Sequence, residues 1–320
     1  MRTLIIIPTY NEIENLPSLL EGIFTFAPET DVLVVDDNSP DGTGNLIEEL
    51  KKNDARIHLL RRPGKLGLGT AYIAGFKYAI VKRYDAAFEM DADFSHDPCH
   101  LPDFLHAIQR ADLVIGSRYI PGGSTPNWSL VRRMISGSGN IFARGVLNIP
   151  VHDCTGGYRC YRREVLETID LDSVQSRGYA FQIEMTYRVL NQGFKIVETP
   201  ITFMDRRLGQ SKMSKKIIIE AFTYVLKTRF QRPPVAMHAT STIYSHQVLP
   251  HKQAPAIATP ALQEGGQHTG SIAVRDVRKE KMPTTPVGVA GSTKITDGMH
   301  GNNGNSVADA SQSPERPSQS

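Results

Sequence analysis

Across the first 230 positions of the chain, apolar residues come in short runs separated by longer stretches of mixed character. The runs Thr3–Ile7, Val32–Asp36, Ile57–Leu60, Ala87–Met90 and Leu113–Gly116 are rich in branched and other apolar side chains and read as strands. Between them the spacing predicts helices over about 12–26, 43–53, 69–82 and 99–110. Short strands alternating with such helices make βαβ units, so the expected fold is α/β, with a mostly parallel central sheet flanked by helices. Ligands of open α/β sheets gather at the carboxyl ends of the strands. Here those ends carry PTYNE, VDDNSPDGT, MDADFSHDP and GSRY, four polar clusters that fall on one predicted edge.

A further helix is expected over Ser214–Phe230, with Ile218, Phe222 and Val225 along one side and lysines at its start. Two destinations fit that pattern: packing on the sheet, or lying in a membrane surface with the apolar side down. Beyond it the chain turns rich in Gly, Ser, Thr, Pro and Asn, with few aromatics and no sustained period. Such a composition buries too little apolar surface to offset chain entropy, so 231–320 is expected to be a disordered tail. The expected organisation is therefore an α/β domain over 1–212, an amphipathic helix over 213–230 and the tail over 231–320. Five of the ten histidines fall in the tail, widely spaced, and read as solvated.

The charge balance narrows the choice of partner. A net charge of +3 over 320 residues is too mild to argue for nucleic acid. Cys99, Cys154 and Cys160 make no C-x-x-C pair, and an odd number of thiols suits a reducing compartment. The opening apolar run, Leu4–Ile7, stops at Pro8, short of the roughly 7 residues a signal-peptide core needs. No window approaches the ~18 apolar residues of a membrane span. The expected location is cytoplasmic, with any membrane contact peripheral and on the cytosolic face.

The chemistry centres on Asp91-Ala92-Asp93, where an expected strand runs into two carboxylates one residue apart. In an extended segment those side chains share a face, and like charges that close call for a cation between them. A turn with Asp as cap is the plain alternative, but Asp97-Pro98 already supplies a turn and a helix start. Mg²⁺ or Mn²⁺ fits the pair, because such ions take one or two carboxylates and complete their shell with phosphate and water. That implies a nucleotide-diphosphate substrate. Asp37 is the expected acceptor for base or ribose, Asp41 a structural turn residue, and Tyr10 a stacking surface beside Pro8 and Glu12.

Two nucleotide-binding alternatives fail on spacing. Gly67-x-Gly69 has Tyr72 where a dinucleotide fingerprint needs its third glycine, and no Walker loop occurs. Gly67 and Gly69 are therefore expected to shape a turn into a helix. Arginines supply the opposite charge: Arg118 after a strand, Arg132 and Arg133 in NWSLVRRMISGSGN, and Arg206 with Lys212 in DRRLGQSKM. Their forked donors suit phosphate, and DRRLGQSKM is expected to close over a nucleotide.

Taken in order, PTYNE, VDDNSPDGT, KLGLGTAYIAGF, MDADFSHDP, GSRY, TGGYRCYRREVL, GYAFQIEM and DRRLGQSKM resemble the dolichol-phosphate (polyprenol-phosphate) mannosyltransferases of glycosyltransferase family 2, over roughly 1–230. The resemblance implies a GT-A fold and inverting transfer of mannose from GDP-mannose to a polyprenyl monophosphate. It implies nucleotide-sugar contacts at Pro8, Tyr10, Glu12, Val35, Asp37, Asp91, Ala92, Arg118, Arg206 and Lys212, and metal ligands at Asp91 and Asp93. Some relatives have Gln as a further ligand where this chain has Ser95, which is the expected third and weaker ligand, with water as its substitute. It also implies a membrane surface, and a membrane-anchoring partner protein is one route to it. Asp93, Arg118, Arg132 and Arg133 are the expected catalytic set, with Asp97 a fallback base. The close rival is sugar transfer from a UDP-sugar to the same lipid, and the distant one a non-catalytic scaffold.

Overall fold

The computed structural model describes residues 1–174, 176, 178–204 and 215–231, the side chains of the last segment only over 222–230. These all belong to the unit Met1–Ala258, and a second unit, Thr259–Ser320, lies outside the described residues. Arg206, Lys212, the expected lid and the expected disordered tail also lie outside them.

Seven strands form one sheet: β1 (Thr3–Thr9), β2 (Thr30–Asp36), β3 (Ile57–Arg61), β4 (Ala86–Glu89), β5 (Leu113–Ser117), β6 (Arg159–Arg162) and β7 (Ile196–Pro200). Their order is β3-β2-β1-β4-β6-β5-β7. All neighbours are parallel except around β6, which runs antiparallel to both β4 and β5. The helices are α1 (Leu16–Phe26), α2 (Thr43–Asn53), α3 (Leu68–Val81), α4 (Leu101–Ala107), α5 (Leu130–Leu147), α6 (Arg163–Thr168), α7 (Gly178–Asn191) and α8 (Lys215–Gln231).

Strand β1, TLIIIPT, is apolar on both faces because both faces are covered. Leu4 and Ile6 join a core with α3, α5, α6 and α7 on one side. Ile5 and Ile7 join a second core with α1, α2 and α4 on the other. The approach of α3 to β1 depends on Gly75, where an added Cβ would meet the Ile6 side chain, with Cδ1 at 2.9 Å. Gly75→Ala is expected to cost about 1–3 kcal/mol through overpacking, despite alanine's better helix propensity. An unchanged urea midpoint would contradict this close seating.

The strand order reverses between β1 and β4, since β2 and β3 lie to one side of β1 and β4 to the other. A crevice opens at such a reversal, at the carboxyl ends of the strands. Tyr10 and Glu12 follow β1 there, and Asp91 and Asp93 follow β4.

Candidate active site

Three strands leave the sheet through non-glycine residues in the left-handed region: Asn11 (φ 62°) after β1, Asn38 (φ 57°) after β2 and Phe94 (φ 62°) after β4. Asparagine tolerates this conformation, whereas an aromatic residue there is strained and must be held by its surroundings. The hold on Phe94 is a tight turn in which Asp93 Oδ1 accepts from the Ser95 backbone N–H at 3.1 Å and from its hydroxyl at 2.5 Å. The extended geometry expected for Asp91-Ala92-Asp93 is not what forms. Strand β4 ends at Glu89, and the acids sit in the turn beyond it. The turn, rather than the pleat, gathers the carboxylates, and both act on the nearby Tyr72 and His96.

Asp91 is held from two sides. The buried Tyr72 hydroxyl donates to its Oδ1 at 2.9 Å, and its own backbone N–H donates to His96 Nδ1 at 3.0 Å. Tyr72, at the position where a dinucleotide fingerprint would need glycine, thus reaches the acids from α3. Burial, with the neighbouring acids, drives its phenol well above the usual range, so it remains a donor. His96 is buried, stacked on Tyr158 with centroids 4.8 Å apart. Burial pushes its imidazole below the usual value. Accepting at Nδ1 places the proton of the neutral ring on Nε2.

Beneath the turn, the Glu89 carboxyl is fully buried, and burial pushes it up to about 7, against the opposing pull of Arg159. Gln182 Nε2 of α7 donates to its Oε2 at 2.5 Å. Arg159 is itself buried and donates to the Gly156, Cys154 and Gln182 carbonyls.

At the exit of β2, Arg62 Nε donates to Asp37 Oδ1 at 2.5 Å. The same guanidinium bonds Thr70 Oγ1 at 2.8 Å and the Gly67 carbonyl at 3.3 Å, tying the turn before α3 to the nucleotide side. Gly67 adopts φ 105°, which accounts for glycine at that turn. Asp41 takes the structural role expected of it, accepting from the Thr43 N–H at 2.9 Å and hydroxyl at 2.6 Å. Asp97 caps the turn at Pro98–His100 by accepting from the Cys99 N–H at 2.9 Å. Beside β1, Glu12 accepts from Asn15 Nδ2 at 2.8 Å, and the Lys65 ammonium lies 4.3 Å from the Tyr10 ring centroid. Pro8 ends in β1, Val35 is buried in β2, and Ala92 is buried between the two acids.

On the other side of the crevice, Arg118 follows β5. Its Nε and Nη2 bind the two oxygens of Asp153 at 2.7 and 2.8 Å, and Nη2 also meets Thr155 Oγ1 at 2.8 Å. Asp153 is fully buried. Burial alone would raise its carboxyl, but the charge and hydrogen bonds of Arg118 outweigh that and hold it below the usual range. Glu198 of β7 fixes this loop in turn, accepting from the His152 and Asp153 backbone N–H groups at 2.8 and 2.9 Å. The Arg118 guanidinium lies 5.5 Å from the Trp128 ring centroid, and that of Arg132 lies 4.2 Å from the same ring. Arg133 instead donates to the Thr125 and Pro126 carbonyls. The structure therefore brings Arg118 and Arg132 together around one indole.

An all-oxygen donor set at the β4 exit suits a hard divalent cation. Asp91 Oδ2 accepts no hydrogen bond among the described residues. No group of three or more His, Cys, Asp or Glu is placed to hold a metal among those residues. Ser95 is spent on orienting Asp93.

Comparison with known proteins decides the family. Residues 4–170 match the model of glycosyl transferase family 2. The chain belongs to that family. It is 52% identical over 227 residues to an undecaprenyl-phosphate mannosyltransferase of Micrococcus luteus, covering 71% of this chain and 93% of that protein. It is also 52% identical over 222 residues to a polyprenol monophosphomannose synthase of Mycolicibacterium smegmatis, covering 69% and 84%. Within the family it therefore stands with the polyprenyl-phosphate mannose synthases, as its motifs suggested. The fold is of GT-A type. A mannosyltransferase from Pyrobaculum calidifontis, solved with GDP-mannose and Mn²⁺, aligns with TM-score 0.50 at 16% identity over 71% of this chain and 64% of that one.

Among the partners that hold the site, Arg62, Tyr72, His96, Asp153 and Trp128 were not foreseen in the sequence. Asp153 lies 35 residues from Arg118 and Arg62 lies 25 from Asp37, so no local spacing announces either pair.

Proposed function

We propose that this glycosyltransferase moves mannose from GDP-mannose to a polyprenyl monophosphate, with inversion, yielding a lipid-linked mannose donor for glycosylation. The observation that carries this reading is 52% identity, over 227 and 222 residues, to two proteins whose names give mannose transfer to a polyprenyl phosphate; the GDP-linked donor and the inversion are the proposal's own additions. The site chemistry supports it. An acceptor phosphate is already anionic at neutral pH, so no strong base is needed to make the nucleophile, and Asp97 remains a cap. The work lies in joining two anionic reactants and stabilising departing GDP.

In the reaction the phosphate oxygen bonds to the anomeric carbon from the face opposite the leaving group. The bond from that carbon to the GDP oxygen breaks, and GDP departs with the electron pair. Arg118, locked by Asp153 and Thr155, and Arg132 beside Trp128 hold the acceptor phosphate in line, with Arg133 following on the same helix. Asp37, oriented by Arg62, accepts from the base or ribose, and Tyr10 with Pro8, Glu12 and Val35 lines that end. Arg206 and Lys212 would serve the nucleotide from the segment after β7. Asp91 and Asp93 would hold Mg²⁺ or Mn²⁺, which supplies positive charge to the departing diphosphate.

No described helix is long and apolar enough to cross a membrane. The lipid acceptor supports a peripheral position on a membrane; we assign it to the cytosolic face, with a membrane-anchoring partner protein as one aid.

Labelled GDP-mannose and UDP-glucose, each supplied with undecaprenyl phosphate, test the donor. Label is expected to enter the organic phase from GDP-mannose alone, as a β-linked product by NMR. Preferential use of UDP-glucose would replace the donor assignment.

A further inference from the structure

Two arginines that clamp one phosphate need a fixed separation, yet Arg118 and Arg132 come from different elements. Arg118 follows β5, and Arg132 lies in the first turn of α5. Burial does not hold that end of the helix. Leu130, Val131, Met134 and Ile135 are exposed, and Asn140 is the first buried residue of α5. Helix α8 packs on α5 beyond that point, with Phe222 stacked on Phe142 at a centroid distance of 4.6 Å and Val225 buried in the core. Of the two destinations that the sequence of α8 allowed, packing is the one taken.

Asn140 is only 2% exposed, and its amide is bonded at both ends. Its Oδ1 accepts from the Cys154 backbone N–H at 3.0 Å and from the Cys154 thiol at 3.1 Å. Its Nδ2 donates to the His152 carbonyl. A backbone donor on one side and a backbone acceptor on the other leave the amide a single orientation. Asp153 lies between those two residues and accepts from the Arg118 backbone N–H at 3.1 Å as well as from its guanidinium. Glu198 secures the same loop to β7, so Asn140 is what ties it to the helix. Arg132, Ser136 and Asn140 recur every four residues and share one side of α5. Between the two, Ser136 Oγ meets the hydroxyl of Tyr119, the residue after Arg118, at 2.8 Å. One side of the helix thus carries Arg132 at one end and grips the holder of Arg118 at the other.

We propose that Asn140 is a positioning residue that sets Arg118 and Arg132 in register for a single phosphate. It acts through the 152–154 loop and Asp153, so that the β5 exit and α5 present their guanidiniums as one unit. The purpose assigned to this tether rests on the lipid-phosphate reading of the acceptor, whereas the tether itself is measured without any ligand.

The test is Asn140→Ser in the full chain, titrated with farnesyl phosphate and followed by the fluorescence of Trp128. That residue is the only tryptophan of the chain, and its ring lies beside both arginines. The substitution is expected to weaken farnesyl phosphate binding by about tenfold. Affinity for GDP with Mn²⁺ should stay within about twofold of native, because that site is held by other residues. In turnover, KM for the prenyl phosphate should rise while KM for GDP-mannose holds. Gly75→Ala, which also lowers stability, should leave farnesyl phosphate affinity at the native level. Cys154→Ala deletes the thiol bond alone and should shift binding in the same direction by about twofold, which serves if Asn140→Ser does not fold. Without ligand, hydrogen exchange at the Arg118 backbone N–H should quicken by about tenfold in Asn140→Ser.

Native affinity for farnesyl phosphate in Asn140→Ser overturns the proposal. So does an equal loss of GDP and farnesyl phosphate binding, because Asn140 would then serve the fold as a whole. If the native protein itself ignores farnesyl phosphate, the acceptor reading fails, and exchange at Arg118 decides the tether: quickened exchange upholds it and native exchange overturns it.

Discussion

Asp93→Ala is expected to abolish sugar transfer, lowering turnover on the order of 10³-fold or more while the domain stays folded. The magnitude follows from the several kcal/mol that a bound divalent ion contributes to a charged transition state, each 1.36 kcal/mol being about tenfold in rate. The structural cost is smaller. The substitution leaves the Ser95 N–H and hydroxyl without their acceptor, worth about 1–3 kcal/mol against a domain stability of roughly 5–15 kcal/mol. EDTA should reproduce the loss in the native protein, and Mn²⁺ or Mg²⁺ should restore it. Activity near the native level in Asp93→Ala, with an unchanged melt, would remove the metal from these acids.

The second large effect concerns Arg118 and the residue behind it. Arg118→Ala removes a charged donor from the acceptor phosphate and should cost about 10²–10³-fold in turnover, the scale seen when a preorganised donor is lost. It also strands Asp153 as an unpaired buried charge, costing on the order of 3–5 kcal/mol in stability. Arg118→Lys keeps the charge but not the two-point contact, and so separates the effects. Asp153 is a positioning residue: it orients Arg118, and it also accepts from Thr155 and Gly156 in its own loop. Asp153→Asn should therefore lower kcat while leaving KM for GDP-mannose near native, and its effect should largely vanish in an Arg118→Lys background. A fall confined to KM for the nucleotide would contradict this.

The pair also predicts a pH signature. The Asp153 carboxyl sits below its ordinary value of 3.8 in the fold. Its stabilising share is thus complete above that pH and is lost as pH falls through the lower folded value. The stability gap between native protein and Asp153→Asn should narrow on acidification, as read from denaturant midpoints.

Much of the sheet was legible in the chain because its strands are short apolar runs buried on both faces. β1 through β5 appear where the pattern put them, within two residues at either end. The second half was less readable for identifiable reasons. β6 is only four residues, RCYR, too short and too polar for the apolar-run pattern to mark, although Arg159 is buried in a hydrogen-bonded niche. Helix α5 hides behind an inverted pattern, apolar outward, with three glycines in its sequence. Among the candidate site residues, Asp91, Asp93, Asp37 and Arg118 announced themselves as charges at strand exits. Their partners did not, because Tyr72, Asp153 and Arg62 reach them only through the fold.

A nucleotide diphosphate and its metal are expected to bind together in the β1–β4 crevice. Soaking crystals with GDP and Mn²⁺ and measuring anomalous scattering tests this directly. A manganese peak shared by Asp91, Asp93 and the diphosphate, with the base beside Asp37, is the predicted result. Nucleotide bound away from the β1–β4 crevice, with no manganese at the two aspartates, would contradict it.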